Sequence, residues 1–87
     1  MLYELTFLIK EEKELENIKD LITSNLGQIK KEESWGEKTL IFPIKKNRTA
    51  KFYNYFIEID KKNVTELRKK LNFSENLLRF LLLISET

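Results

Sequence analysis

Residues 28–60 read QIKKEESWGEKTLIFPIKKNRTAKFYNYFIEID, and this stretch decides the fold. Its second half, Lys51 to Asp60, is a run of strong strand formers in alternation. Tyr53, Tyr55, Ile57 and Ile59 fall on one face, and Phe52, Asn54, Phe56 and Glu58 on the other. The first half, Gln28 to Ile44, reads as one long strand broken at Trp35-Gly36, where a glycine inside a strand pattern predicts a bulge or a close backbone approach. Pro43 has no backbone N–H to give to a ladder, which assigns this strand to a sheet edge. Lys45 to Ala50 reads as the polar turn between the two strands.

Working outward on the N-terminal side, Leu2 to Ile9 alternates Tyr3, Leu5, Phe7 and Ile9 with Leu2, Glu4, Thr6 and Leu8, the pattern of a buried strand. An acid-rich start at Glu11, Glu12, Glu14 and Glu16 precedes Leu15, Ile18, Leu21, Ile22 and Leu26 at helical spacing, with Gly27 where a helix C-cap belongs. On the C-terminal side, Asp60 or Asn63 can cap a helix whose apolar stripe is Val64, Leu67 and Leu71. Leu77 to Ile84 is a last strand.

The order βαββαβ predicts an α+β ferredoxin-like fold, one domain over residues 1–87. Right-handed crossovers place both helices on one face of a four-stranded antiparallel sheet of order 2-3-1-4. The other face is left open, carrying Thr6, Leu8, Phe52, Phe56, Leu77, Arg79, Leu81 and Leu83, more apolar than a solvated face needs to be.

Composition narrows the chemistry. The 87 residues contain no cysteine and no histidine, which excludes disulfides, zinc sites and Cys–His or Ser–His nucleophile systems. Two glycines leave no phosphate-cradling loop. Glu32 and Glu33 are adjacent in a strand and point to opposite faces, so they make no acid–base pair. The region after the first strand, Ile9 to Glu14, is acidic and repels a phosphate ester, against an acylphosphatase-like hydrolase. No enzyme, cofactor, metal or small-molecule substrate is expected. The start is no signal peptide, and the apolar run Leu77–Ile84 is too short to span a bilayer and contains Arg79, so a cytoplasmic protein without membrane partners is expected.

Net charge is only +2, 16 Lys and Arg against 14 acids, but its distribution is uneven. Between Lys38 and Lys51 stand five basic residues, Lys38, Lys45, Lys46, Arg48 and Lys51, and no acid. On charge alone the better reading is a solvated lysine-rich hairpin that discourages edge-to-edge pairing; the alternative is a set of phosphate contacts.

The segment Trp35-Gly36-Glu37-Lys38-Thr39-Leu40-Ile41-Phe42-Pro43-Ile44-Lys45-Lys46 resembles the most recognisable stretch of the bacterial small-subunit ribosomal protein S-six (S6) family. Tyr3-Glu4 matches the opening of that family's first strand, and Leu71 with Asn76-Leu77-Leu78-Arg79-Phe80-Leu81 its last helix-to-strand passage. The chain departs from the family pattern at Ala50-Lys51-Phe52-Tyr53, where a glycine followed by aromatics is usual, and at Ile41 and Phe42, where alanine and tyrosine are usual.

The resemblance implies the same fold and a ribosomal role: binding the central domain of small-subunit ribosomal RNA beside ribosomal protein S-eighteen (S18), with which the family forms a heterodimer. It reverses the preference at the hairpin and makes Lys38, Lys45, Lys46, Arg48, Lys51 and Arg79 the expected RNA contacts. Trp35, Phe52, Phe56 and Leu81 are the expected partner contacts. For Arg79 the alternative is snorkelling toward Glu4 or Glu58, for Trp35 a packed ring at the bulge, and for Phe52 and Phe56 plain packing, since the RNP1 pattern of an RNA recognition module is missing. A cytoplasmic ribosome is expected, and an organellar one is compatible. The competing function is a ferredoxin-like protein–protein or regulatory module without RNA. Net charge +2 predicts weak RNA binding by the free protein.

Overall fold

A computed structural model describes residues 1–75 and 77–85. The elements are β1 (Leu2–Ile9), a 3-10 turn (Glu12–Glu14), α1 (Leu15–Ser24), β2 (Gln28–Ile44), β3 (Asn47–Glu58), α2 (Lys61–Asn72) and β4 (Leu77–Ile84). They form a four-stranded antiparallel sheet of order β2-β3-β1-β4, the ferredoxin-like arrangement expected from the alternation. Pro43 lies on edge strand β2.

One face of the sheet packs on both helices. Tyr3, Leu5, Phe7 and Ile9 of β1 meet Tyr53, Tyr55 and Ile57 of β3, with Ile18 and Ile22 of α1 and Val64, Leu67 and Leu71 of α2 closing the cluster. Phe7 stacks on Tyr53 at 5.5 Å between ring centroids and meets Tyr55 edge-on at 5.0 Å, the offset and T-shaped geometries that the ring quadrupole favours. Tyr55 is fully buried on this face, directly across the ladder from Glu32 of β2. Burial, and then Glu32, push its phenol above the ordinary range. A hydrogen bond from Lys19, and then Tyr55, hold the Glu32 carboxyl below its own.

Four local details differ from the sequence reading. The acids Glu12 and Glu14 belong to a 3-10 turn, and α1 begins only at Leu15. Leu26 is not part of the apolar stripe; it takes the left-handed conformation (φ 64°) at the end of α1 and points to solvent. Its N–H bonds the Thr23 carbonyl, and the Gly27 N–H bonds the Ile22 carbonyl at 2.9 Å, the double closure of a Schellman motif. Gly27 is there for space: a Cβ would stand 2.9 Å from Ile22 Cγ2 and 3.0 Å from the Ile22 carbonyl oxygen.

The third detail is the turn. Only Lys45 and Lys46 form it, with φ of 49° and 68°, and β3 already starts at Asn47. Positive φ at both central residues is the mark of a type I′ turn, whose twist matches that of the flanking strands. The fourth is Leu77. The β1–β4 ladder shifts register between Leu8 and Ile9, so Leu77 joins the helix-side core and Leu78 takes a place beside Leu8 on the open face.

Candidate nucleic-acid interface

The open face is built in two zones. At its centre lies a polar relay. Thr6 Oγ1 and Asn54 Oδ1 are 2.7 Å apart, with the threonine hydroxyl donating, and Asn54 Nδ2 donates to Glu33 Oε1 at 3.2 Å. Asn54 is buried, and these two bonds satisfy a side chain that would otherwise carry a desolvation cost. Phe56 and Phe52 flank the relay along β3, each half-buried and each covered by a lysine of β2. Lys31 Nζ stands 5.9 Å from the Phe56 ring centroid and Lys38 Nζ 5.6 Å from that of Phe52, within cation–π range. Leu81 and Leu83 of β4 remain exposed.

The second zone is the β2–β3 hairpin. Gly36 (φ 82°) sits at a register shift between Ser34 and Gly36, the bulge expected at Trp35-Gly36. Trp35 is 44% exposed there, so the ring is not packed away at the bulge. Further on, β2 takes the five-residue step from Thr39 to Ile44 while β3 takes only the two from Thr49 to Asn47. Leu40 to Pro43 therefore stand against Arg48 alone, and Pro43 falls where the ladder has already been broken and needs no N–H. The excursion bends the hairpin over the open face. Leu40 and Ile44 pack on Leu8, Ala50 and Leu78 beside Phe52, while Ile41 and Phe42 point outward, 91% and 79% exposed.

Between hairpin and sheet runs an apolar groove of about 550 Å³, lined among others by Leu8, Leu40, Phe42, Pro43 and Phe52, with Arg79 at its wall. Arg79 lies opposite Leu8, at the hairpin end of the sheet, far in register from Glu4 and from Glu58. Glu58 is bonded by the N-terminal amine at 2.9 Å, and among the described residues Arg79 is in no ion pair. Snorkelling toward either acid thus does not account for it.

The remaining basic residues divide. Lys38 shares the open face with Phe52 and Arg79. Lys46 and Arg48 are exposed at the hairpin end. Lys45 Nζ donates to the Leu77 carbonyl at 3.2 Å, fastening the tip to the start of β4. Lys51 stands apart, because alternation along β3 turns it away from Phe52. It lines a small pocket on the helix side with Glu12 and Glu37, and its charge helps to lower the Glu11 carboxyl, behind the effect of Lys13. That alternation was present in the sequence and could have separated Lys51 from the patch. The Thr6–Asn54–Glu33 relay and the Lys31–Phe56 pair carried no such signal, since both depend on the register between strands.

Taken as a site, an apolar groove rimmed by cations suits binding rather than turnover. No helix among the described residues is long and apolar enough to cross a membrane.

The fold and this open-faced sheet have a close counterpart among solved structures. The crystal structure of 30S ribosomal protein S6 from Thermotoga maritima superposes with a TM-score of 0.78 at 26% identity, over 93% of this chain and 83% of that one. The class is thus that of small ferredoxin-like ribosomal proteins. The family model described as Ribosomal protein S6 matches residues 2–83, and the chain belongs to that family, whose members are structural and not enzymes. A small ribosomal subunit protein bS6 from Methylobacterium sp. (strain 4-46) is 38% identical over 87 residues, covering 92% of this chain and 65% of the relative. One from Fusobacterium nucleatum is 31% identical over 86 residues, covering 91% and 92%. The chain spans about six-tenths of the length of the first group of relatives and nearly all of the second.

Proposed function

We propose that this protein is a structural component of the small ribosomal subunit, where it binds the central domain of small-subunit ribosomal RNA beside ribosomal protein S18. Membership of the S6 family carries the reading, and the geometry of the open face supports it. Lys46 and Arg48 project at the hairpin tip as point and fork donors for phosphate oxygens, with Lys38 and Arg79 on the face behind them. Such contacts fix the position of an RNA backbone and carry no base readout. The groove beside Phe52, the exposed Leu81 and the half-exposed Trp35 supply the apolar surface that a protein partner would cover. The cation on Lys45 keeps donors to spare after its bond to Leu77, while Lys51, on the other face, would reach a different stretch of RNA.

A gel shift against a central-domain fragment of small-subunit ribosomal RNA tests the reading, at two salt concentrations and with or without S18. Tight, salt-sensitive binding that requires the partner is the expected result, given a net charge of only +2. Absence of binding in every condition, with S18 shown to be folded, would overturn it and favour a protein–protein module.

A further inference from the structure

Lys51 apart, the function proposed above uses the open face and leaves a second cationic surface unexplained on the opposite side of the sheet. Helix α2 carries Lys61, Lys62, Arg68, Lys69 and Lys70 against Glu66 alone, five cations and one acid, net +4. Arg68 is engaged, since its Nη2 lies 3.4 Å from the Leu82 carbonyl of β4. The four lysines are exposed, and among the described residues none is in an ion pair. Glu66 stands four residues after Lys62, three before Lys69 and four before Lys70, the right spacings for helical pairing, yet it forms no ion pair with them.

Helix stability does not account for this row. Lys69 and Lys70 suit the negative end of the helix dipole, but Lys61 and Lys62 occupy the first turn, which holds no acid and where a cation is disfavoured. Phe73 follows at the C-terminal end, 85% exposed. It lies four residues after Lys69 and three after Lys70, and so continues their face of the helix. The apolar residues of α2 itself, Val64, Leu67 and Leu71, are all buried. The outer face therefore lacks the apolar centre of a protein interface. It has instead the two parts of a single-strand binder: cations that follow a phosphate backbone and one ring on which a base can stack.

We infer that the outer face of α2 binds a single-stranded RNA segment, with phosphates along Lys62, Lys69 and Lys70 and a base stacked on Phe73. From Lys62 to Phe73 the helix runs on the order of 17 Å at about 1.5 Å per residue, room for a few nucleotides. Because the hairpin projects from the other side of the sheet, the protein would hold two RNA segments apart.

The test is fluorescence anisotropy of the full chain with a labelled uridine dodecamer across a salt series. Lys62→Gln/Lys69→Gln/Lys70→Gln keeps helix propensity and is expected to flatten the slope of log K against log salt by roughly 2, about 0.7 for each lost phosphate contact. Phe73→Ala, at an exposed position, is expected to weaken binding about fivefold or more at every salt concentration with the slope unchanged. Lys46→Gln/Arg48→Gln examines the hairpin separately. Loss confined to that hairpin variant, no binding by the wild-type chain, a wild-type slope in the lysine variant or wild-type affinity in Phe73→Ala would each overturn the assignment. A row serving an acidic protein instead would leave RNA affinity and slope untouched.

Discussion

Lys45 and Leu77 are joined across the molecule: the lysine ammonium at the tip of the β2–β3 hairpin donates to the leucine carbonyl at the start of β4, 3.2 Å away. The bond ties one edge strand to the other at the hairpin end of the sheet, in a small pocket that Leu71, Asn72 and Ser74 also line. Lys45→Asn keeps a residue tolerant of positive φ while cutting the tie. Global stability should fall by no more than about 1 kcal/mol, the net worth of one hydrogen bond. Amide hydrogen exchange at Leu40 and Ile44 should accelerate while that of Tyr55 at the sheet centre stays as it was. Unchanged exchange at the hairpin would mean that packing of Leu40 and Ile44 alone holds it down.

Gly27 offers a sharper stability test. Its missing Cβ is what lets the end of α1 close on Ile22 and lets β2 start beside Ile57. Gly27→Ala forces either the Ile22 carbonyl or its side chain to move, and overpacking of this kind costs about 1–3 kcal/mol. Chemical denaturation of the two proteins would show it as a lower midpoint at constant slope. A loss well under 1 kcal/mol would mean that the Schellman closure can loosen without consequence.

The fold was legible because each of its signals is local. Alternation named the strands, the 3.6-residue spacing of Val64, Leu67 and Leu71 named α2, and Pro43 and Gly36 marked an edge and a bulge. What escaped were features set by register and sterics across the chain. The turn occupies two lysines in a conformation usually given to Asn-Gly, so composition pointed to a longer loop. Leu77 faces the helices because the β1–β4 ladder slips by one residue, and a one-residue slip reverses the side of every residue beyond it. The candidate interface was legible as a charge pattern, but its division was not: Lys51 is carried to the other face and Lys45 is tied down, while Lys31 joins Phe56 from a position that no pattern singled out.

Tyr55 links the core to pH. Its folded pKa is raised above the ordinary 10.0, by burial first and by the Glu32 carboxylate second. The native state therefore retains a proton that the unfolded chain gives up above pH 10, and stability falls as pH rises past that point. Tyr55→Phe removes this titration. At neutral pH the variant should be no more than about 1 kcal/mol less stable, having lost one polar contact with Glu32. Between pH 9 and about 11.5 its stability should decline less steeply than that of the wild type, as read from denaturation midpoints. Parallel declines would show that the buried Tyr55 phenol does not set the alkaline limit.

Lys46 sets stability against the proposed RNA contact. It holds φ 68° without being glycine or asparagine, in a turn whose geometry favours those residues. A left-handed conformation costs an ordinary residue about 1–2 kcal/mol, and glycine returns part of this as unfolded-state entropy, so Lys46→Gly should gain about 0.5–1 kcal/mol. The same change removes an exposed cation from the hairpin tip. If that lysine meets a phosphate, the stabilised variant should bind ribosomal RNA less tightly, and its salt slope should be smaller by up to about 0.9. Denaturation of the one variant, and anisotropy with ribosomal RNA in the presence of S18, separate the cases. Greater stability with weaker binding means that the strained lysine is kept for its charge. Greater stability with unchanged binding leaves it a solvated turn residue and shifts the RNA contact to Arg48 and the sheet behind it.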